Sequence, residues 1–211
     1  GDKDIFVAKL SSSGSWSWAK NAGGTSDEEG RAIALDTNGN LLVVGDFFGN
    51  ATFGTTSLTS MGALDIFVTK LSSSGSWQWA VSAGGTNYGY AYGIASDSNG
   101  NAFVTGHFLG NFSFGTTTLS SGSGHDIYLA KIGANGTWIW ANKAGSISTT
   151  SYLVDASHAI TVDGNDNAYI TGYCDGAISF GGRLNYSCSA IFVARFVDSD
   201  MDSVANQNDS C

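Results

Sequence analysis

The segment Asp4-Ile-Phe-Val-Ala-Lys-Leu10 occurs four times in this chain with small changes, and its spacing decides the fold. It returns at residues 65–71, 126–132 and 190–196, at intervals of about 61, 61 and slightly more residues. The residues between the returns repeat as well. Self-similarity at such a period is typical of a repeat architecture. A residue that occurs in every copy is explained first by the construction of the repeat, so functional residues are sought among those that are not repeated.

The composition favours many short strands joined by tight turns. The chain has 29 glycines and no proline, and Ser, Thr and Asn crowd between short apolar runs. This mixture is typical of an all-β fold. The net charge of −9 argues against a nucleic-acid-binding protein, which needs a basic surface. Because no run of 18 or more apolar residues exists, we expect no membrane insertion.

The second copy shows the predicted strands of one repeat. Residues 65–71 form an apolar strand, and residues 76–80 alternate with the period of a half-buried strand. Residues 92–96 are a third strand, which turns through Asn99-Gly100 into a fourth at residues 101–107. A longer loop that contains Phe112 and Phe114 is expected to lead to the next copy. Consecutive strands of this kind predict four-stranded antiparallel blades of a β-propeller.

The number of strands predicts an arc of a propeller within residues 1–197. With the usual strand order, the innermost strands are residues 31–36, 92–97 and 158–163. The chain then holds two outer strands of one blade, two full blades and three strands of another. Propellers close with about four to eight blades. We therefore expect the arc to meet further parts of the same polypeptide or neighbouring subunits, because bare strand edges invite aggregation.

Three stretches give the chain a family resemblance. They are Gly93-Ile-Ala-Ser-Asp97 followed by Gly100-Asn101, then Ala102-Phe-Val-Thr-Gly106, and residues 65–71. This pattern resembles the bacterial SBBP β-propeller repeat family over nearly the whole chain. The resemblance implies the fold and little about function, since propellers support many functions. The family often has proline after the last of these strands, where this chain has Ser72-Ser-Ser-Gly75.

Some prominent residues recur in every copy and are interpreted as structural. The tryptophans come in pairs two residues apart, so that both members of a pair share one sheet face; the pairs are Trp16/Trp18, Trp77/Trp79 and Trp138/Trp140. They are expected to pack between blades, with sugar binding as the alternative. The turns that begin at Asp36, Asp97 and Asp163 carry possible calcium ligands, but Asp and Asn also bond their own backbone in turns.

No catalytic arrangement is visible, and we do not expect an enzyme. His107, His125 and His158 are scattered along the sequence and show no metal-ligand spacing. In the alignment of copies His107 falls opposite Asp46 and Tyr173, so this position varies.

The non-repeated stretches are predicted to be interblade loops at residues 26–30, 87–92 and 147–157. Loops on a rigid scaffold are the usual place for recognition. Tyr88, Tyr90, Tyr92 and Tyr152 are therefore candidates for stacking on a glycan or a protein partner. Plain sequence drift is the alternative.

The cysteines favour an oxidising compartment. Cys174 ends one strand of the last blade and Cys188 precedes the next, so a disulfide between them would staple the intervening loop. Free buried thiols are the alternative. Cys211 is left over and indicates a partner outside this chain.

Residues 198–211 form a predicted calcium-binding segment. Acidic side chains fall at alternate positions in the first half, as in an EF-hand-type loop, where the seventh residue offers a carbonyl; the candidate ligands are Asp198, Asp200, Asp202, Val204, Asn206 and Asp209. With its closing Cys211 the segment resembles a thrombospondin type 3 repeat, although Ser203 stands where Gly is preferred. An acidic linker is the alternative.

Together these features predict a non-enzymatic, extracellular or cell-surface bacterial protein with a structural and adhesive role. A propeller scaffold would display variable loops on a calcium-stiffened linker, as part of a larger surface protein or filament. A glycan-binding, lectin-like module is the alternative function.

Overall fold

The computed structural model describes residues 1–146, 153–180 and 184–196, with the side chains of residues 184–190 left out of the description. Over these residues every regular element is a β-strand and every strand pair is antiparallel. The strands are β1 Ile5–Leu10, β2 Trp16–Gly24, β3 Glu28–Leu35, β4 Leu41–Phe47, β5 Asn50–Phe53, β6 Thr56–Thr59, β7 Asp65–Leu71, β8 Trp77–Gly85, β9 Gly89–Ser96, β10 Ala102–Phe114, β11 Thr117–Ile132, β12 Trp138–Ser146, β13 Ala156–Val162, β14 Ala168–Phe180 and β15 Leu184–Phe196.

The strands are arranged as blades of a β-propeller arc, as the sequence predicts. The two complete blades run β3-β4-β7-β8 and β9-β10-β11-β12, each in sequence order. Strands β1 and β2 belong to the blade before them, and β13, β14 and β15 to the blade after. The innermost strands β3, β9 and β13 lie side by side, and the Ser96 hydroxyl donates a hydrogen bond of 2.7 Å to the Leu35 carbonyl. No helix long and apolar enough to cross a membrane occurs in the described ranges.

The loop expected around Phe112 and Phe114 is instead the extended arm of a hairpin. Strand β10 continues to Phe114 and pairs with the beginning of β11. The arm also crosses to the preceding blade, where Phe112 pairs with Gly85 of β8. Because Gly85 has no side chain, the arm approaches β8 closely enough to pair with it, and both phenylalanines are fully buried. The same contact recurs between β5 and β2 and between β14 and β12, so each arm joins two blades.

Two of the predicted interblade loops are also shorter than expected. Strand β3 already begins at Glu28 and β9 at Gly89, so residues 28–30 and 89–92 belong to innermost strands. The pairing of Glu28 with Phe47 and of Gly89 with Phe108 extends each ladder beyond the apolar core. The sequence did not predict these strand ends, because they are polar and lie outside the short apolar runs that mark the strands.

The second tryptophan of each of the first two pairs packs between blades, whereas Trp16 is 73% exposed. The Trp18 indole donates a hydrogen bond of 3.3 Å to the Ser73 carbonyl of the next blade, and Trp79 donates one of 3.0 Å to Ala134. Their rings lie against the turn glycines at the same sites, where φ is positive and an added side chain would meet the ring. These contacts agree with the structural interpretation of the pairs.

The Asp turns are closed by their own carboxylates. Asp36 accepts hydrogen bonds of 2.8 Å from the amides of Asn38 and Asn40, and Lys70 lies 2.8 Å from its other oxygen. Asp97 has the same arrangement with Lys131 at 3.1 Å. Burial alone would raise the pKa of Asp36, but the bonds from Lys70 and Asn40 outweigh it and lower the pKa to about 2. The carboxylates therefore bond the backbone of their own turns, as the sequence interpretation of Asp and Asn in turns expects.

Candidate functional site

Two positions of the repeat differ in every copy, and they lie next to each other in the structure. The first, on the innermost strand, is Arg31, Tyr92 or His158. The second, near the end of the following strand, is Asp46, His107 or Tyr173. The glycine that precedes the second position is the same in all three blades. At Gly106, a side chain would meet the Tyr90 carbonyl and the Tyr128 hydroxyl, so this close approach requires glycine. The fold thus fixes the backbone here and leaves two side chains to vary.

Within a blade, the two variable side chains contact each other. Arg31 donates bonds of 3.0 and 3.1 Å to the two carboxylate oxygens of Asp46. The Tyr92 and His107 rings have centroids 5.5 Å apart, as do the rings of His158 and Tyr173.

Between blades, the innermost members form a continuous row. The Arg31 guanidinium lies 5.7 Å from the centre of the Tyr92 ring, in cation–π geometry. On the other side, Tyr92 stacks on His158 at 4.9 Å with an interplanar angle of 29°. The variable positions of three blades therefore build a single surface.

The tyrosines predicted from the sequence join this surface. Tyr88, Tyr90 and Tyr92 are nearly parallel, with centroids 6.4 and 6.2 Å apart and interplanar angles of 7° and 4°. The backbone beneath them is held by the Tyr128 hydroxyl, which donates a bond of 3.1 Å to the Tyr90 carbonyl. Tyr152 lies outside the described residues.

The three histidines, although far apart in the sequence, lie together here. Their interpretation as scattered residues was therefore wrong. His107 meets His125 edge-on at 4.9 Å and Tyr90 at 4.8 Å, and His158 is connected to it through Tyr92. The alignment of copies held a partial signal, because it placed His107 at a variable position. We call the whole group the Tyr–His cluster; its members are Tyr88, Tyr90, Tyr92, His107, His125, His158 and Tyr173.

Burial makes the centre of the Tyr–His cluster uncharged. His107 is 8% exposed, and burial, together with the neighbouring His125 and His158, lowers its pKa to about 3. Burial also lowers the pKa of His125. The Nδ1 atom of His107 is buried and has no hydrogen-bond partner among the described residues. The described ranges contain no group of three or more His, Cys, Asp or Glu side chains arranged to hold a metal ion.

A charged group borders the Tyr–His cluster and is internally paired. Glu29 lies 2.6 Å from Arg31 and 2.5 Å from Lys3, and Arg31 also holds Asp46. The hydrogen bond to Asp46 raises the pKa of Arg31. The four formal charges sum to zero, so this edge presents fixed polar groups without net charge.

Two equivalent joints between blades contain a buried carboxyl group. Glu28 and Asp155, at the same place in their copies, are 1% and 0% exposed. Burial raises the pKa of both, that of Asp155 to about 6. One carboxylate oxygen of Asp155 accepts a bond of 2.9 Å from the Asp175 amide, and the other has no partner among the described residues. These carboxyl groups are buried within blade joints.

An open depression lies at the opposite ends of the innermost strands. It is lined by the Asp turns, including Asp36, Asp97 and Asp163. Because these carboxylates already bond their own backbone, with Lys70 and Lys131 as additional partners of the first two, the depression offers fewer free groups than the Tyr–His cluster. We therefore regard the cluster as the candidate functional site.

The other predicted site residues are only partly described. Residues 198–211, with all six candidate calcium ligands, lie outside the described residues. Cys174 is 3% exposed and disulfide-bonded. In the β14–β15 ladder Cys174 pairs with Ala190, and Cys188 pairs with Gly176 two residues along the strand. The pairing of Cys174 with Cys188 remains a prediction.

Comparison with known proteins supports a repeat scaffold. The family model described as a β-propeller repeat, SBBP, matches residues 78–112. The chain is 30% identical over 140 residues to the regulatory protein FlaEY of Caulobacter vibrioides, an alignment that covers 64% of the chain. It is 26% identical over 219 residues to an uncharacterised WD repeat-containing protein of Acanthamoeba polyphaga mimivirus, covering 85% of the chain. The chain spans 15% of the length of each of these relatives.

Proposed function

We propose that this chain is part of a non-enzymatic, extracellular structural and adhesive protein. The β-propeller arc acts as a rigid scaffold that presents one variable surface to a partner. A calcium-stiffened segment at residues 198–211 spaces the scaffold from the rest of the protein.

The distribution of repeated and non-repeated side chains carries this proposal. Repeated polar groups such as Asp36 and Trp79 are used in turns and blade contacts. The two neighbouring positions that differ in all three blades lie instead in the Tyr–His cluster and its charged border. A protein whose variable side chains share one face, on a backbone that repeats, has the properties of a display scaffold.

The end faces of the arc support a larger propeller. Phe67 and Tyr128, which face the preceding blade, are 0% exposed, whereas the equivalent Phe6 is 77% exposed. At the other end, Ile191 is 82% exposed, although its equivalent Ile66 is 0% exposed. Each end is therefore half of a blade-to-blade interface, and the occupant that fits it is another blade of the same kind.

The disulfide supports an extracellular location. Cys174 is disulfide-bonded, and such bonds persist mainly in oxidising compartments. The calcium proposal for residues 198–211 rests on the ligand spacing of the sequence. Calcium loops of extracellular modules bind with dissociation constants on the order of 10⁻⁴–10⁻³ M, which suits the ion outside a cell.

Two experiments test this function. Protease added to intact producing cells should digest the full-length protein, and non-reducing peptide mapping should recover Cys174 linked to Cys188. Protection in intact cells, with digestion only after lysis, would refute the extracellular scaffold. Cells that produce the protein without residues 1–197 should attach less well to a surface, and unchanged attachment would refute the adhesive role.

A second candidate function, a glycan-binding module, is favoured by the grouping of Tyr88, Tyr90, Tyr92 and Tyr173. Glycan binding is compatible with the scaffold function, because a scaffold can display a glycan-binding surface.

A further inference from the structure

We propose that the Tyr–His cluster, with the Arg31–Asp46 pair at its border, is a binding site for a neutral carbohydrate. This inference rests on the display function proposed above and names the ligand class of the displayed surface.

The Tyr–His cluster combines an accessible rim with a buried floor. Tyr88 is 45% exposed and Tyr173 is 41% exposed, and His158 is exposed as well. His107, between them, is 8% exposed. A ligand on this surface would touch the rim rings directly, whereas the Nδ1 atom of His107 is buried below the surface.

The aromatic rings suit the apolar face of a sugar ring. A pyranose presents C–H groups on its faces and hydroxyl groups around its edge. Tyrosine combines a large apolar ring with a polar tip and is favoured where one side of a contact is apolar and the other is wet. The near-parallel rings of Tyr88, just before β9, and of Tyr90 and Tyr92 within it repeat at about 6 Å, so they form a row of aromatic rings.

The floor offers an unused hydrogen-bonding atom. Neutral histidine has one donor and one acceptor nitrogen. Burial keeps His107 neutral, and its Nδ1 has no partner among the described residues. Buried polar atoms are normally satisfied by protein, water or a ligand. A sugar hydroxyl both donates and accepts, so it satisfies Nδ1 in either tautomer once the neighbouring side chains shift to admit it.

The charge balance selects a neutral ligand. The carboxylate of Asp46 is engaged at both oxygens by Arg31, and Glu29 is shared by Arg31 and Lys3. Both described carboxylates of this border are therefore already paired, so a cationic ligand gains no free carboxylate there. An anionic ligand is opposed by the net charge of −9. The paired side chains still present fixed polar edges, which suit adjacent hydroxyl groups.

The test is calorimetric titration of the full chain with a panel of oligosaccharides. The neutral members are chitotetraose, cellotetraose and mannotetraose, and a heparin tetrasaccharide and a lysine-rich peptide are the charged members. We expect saturable binding of at least one neutral sugar and none of the charged ligands. Saturation-transfer NMR should show the ring C–H protons of the bound sugar in contact with the protein.

Variants locate the site. Tyr88→Ala and Tyr173→Ala remove exposed rings, so the fold should be retained and the affinity should fall at least tenfold. His107→Phe keeps an aromatic ring and removes Nδ1, and it should also weaken binding about tenfold. Trp16→Ala is the matched control, because Trp16 is 73% exposed and lies outside the cluster.

Three outcomes would overturn the inference. They are no saturable binding of any neutral sugar, preferred binding of a charged member of the panel, or equal loss of affinity in Trp16→Ala and Tyr88→Ala. Protease accessibility on intact cells would be unaffected by each of these outcomes, so the display function would stand or fall separately.

Discussion

Replacing Asp36 with alanine should lower the free energy of unfolding by about 3–5 kcal/mol, because it leaves a buried lysine without its partner. The Asp36 carboxylate is fully buried, and Lys70, whose side chain is 6% exposed, lies 2.8 Å away. The change also removes the acceptor for the amides of Asn38 and Asn40. The loss of these two turn bonds adds to the cost.

The matched control is Asp163→Ala in the last blade. Asp163 closes the same turn and accepts a bond of 3.0 Å from Tyr169, but no lysine lies in ion-pair contact with it in the described part of the chain. Losing the turn bonds alone should cost about 1–2 kcal/mol, as for the loss of a capping residue. The difference between the two variants therefore measures the buried ion pair.

Urea denaturation followed by tryptophan fluorescence gives both values. If the free energy of unfolding decreases by about 2 kcal/mol per M of urea, a loss of about 4 kcal/mol lowers the unfolding midpoint by about 2 M. The double variant Asp36→Ala/Lys70→Met should recover part of this loss, because it removes the unpaired charge. Equal costs for Asp36→Ala and Asp163→Ala, or no recovery in the double variant, would refute the reasoning.

The remaining predictions concern the blade contacts, the titrating groups and the tail. Trp79→Ala should cost about 2–4 kcal/mol, because a partly buried ring is removed from the contact with the next blade, and a neutral effect on thermal melting would contradict this. Burial lowers the pKa of His107 to about 3, so the unfolded state binds a proton first as the pH decreases from about 6.5, and the free energy of unfolding should fall. In urea melts, His107→Phe should lose less of this free energy between pH 7 and pH 4.5 than the wild type does. Burial raises the pKa of Asp155 to about 6, so its ionisation opposes folding at higher pH. Asp155→Asn should therefore gain about 1–3 kcal/mol over the wild type at pH 8, roughly half of that at pH 5, and little at pH 3, below the unfolded-state pKa. Millimolar calcium should release heat on binding to a longer chain that continues past residue 211, and Asp200→Ala should abolish that heat; identical traces would reduce the tail to an acidic linker.

The sequence alone determined the features that depend on neighbours along the chain. The return of residues 4–10 predicted the repeat, the blades and the arc. The turn at Asp36 was legible because its partners lie two and four residues away. The alternation of Trp77 and Trp79 placed both on one face, since side chains of a strand alternate.

The tertiary structure alone decided the features that depend on how blades meet. The arm at Phe112 reads as a polar loop until Gly85 of the preceding blade is placed beside it. The Tyr–His cluster has the same origin in part. His107 and His125 contact each other within one blade, across the β10–β11 pair, but Tyr92 connects them to His158 only when the innermost strands lie side by side. Such contacts join residues on different strands, and no local pattern encodes them. Sequence reasoning therefore found the tyrosines of the candidate site and missed its histidines.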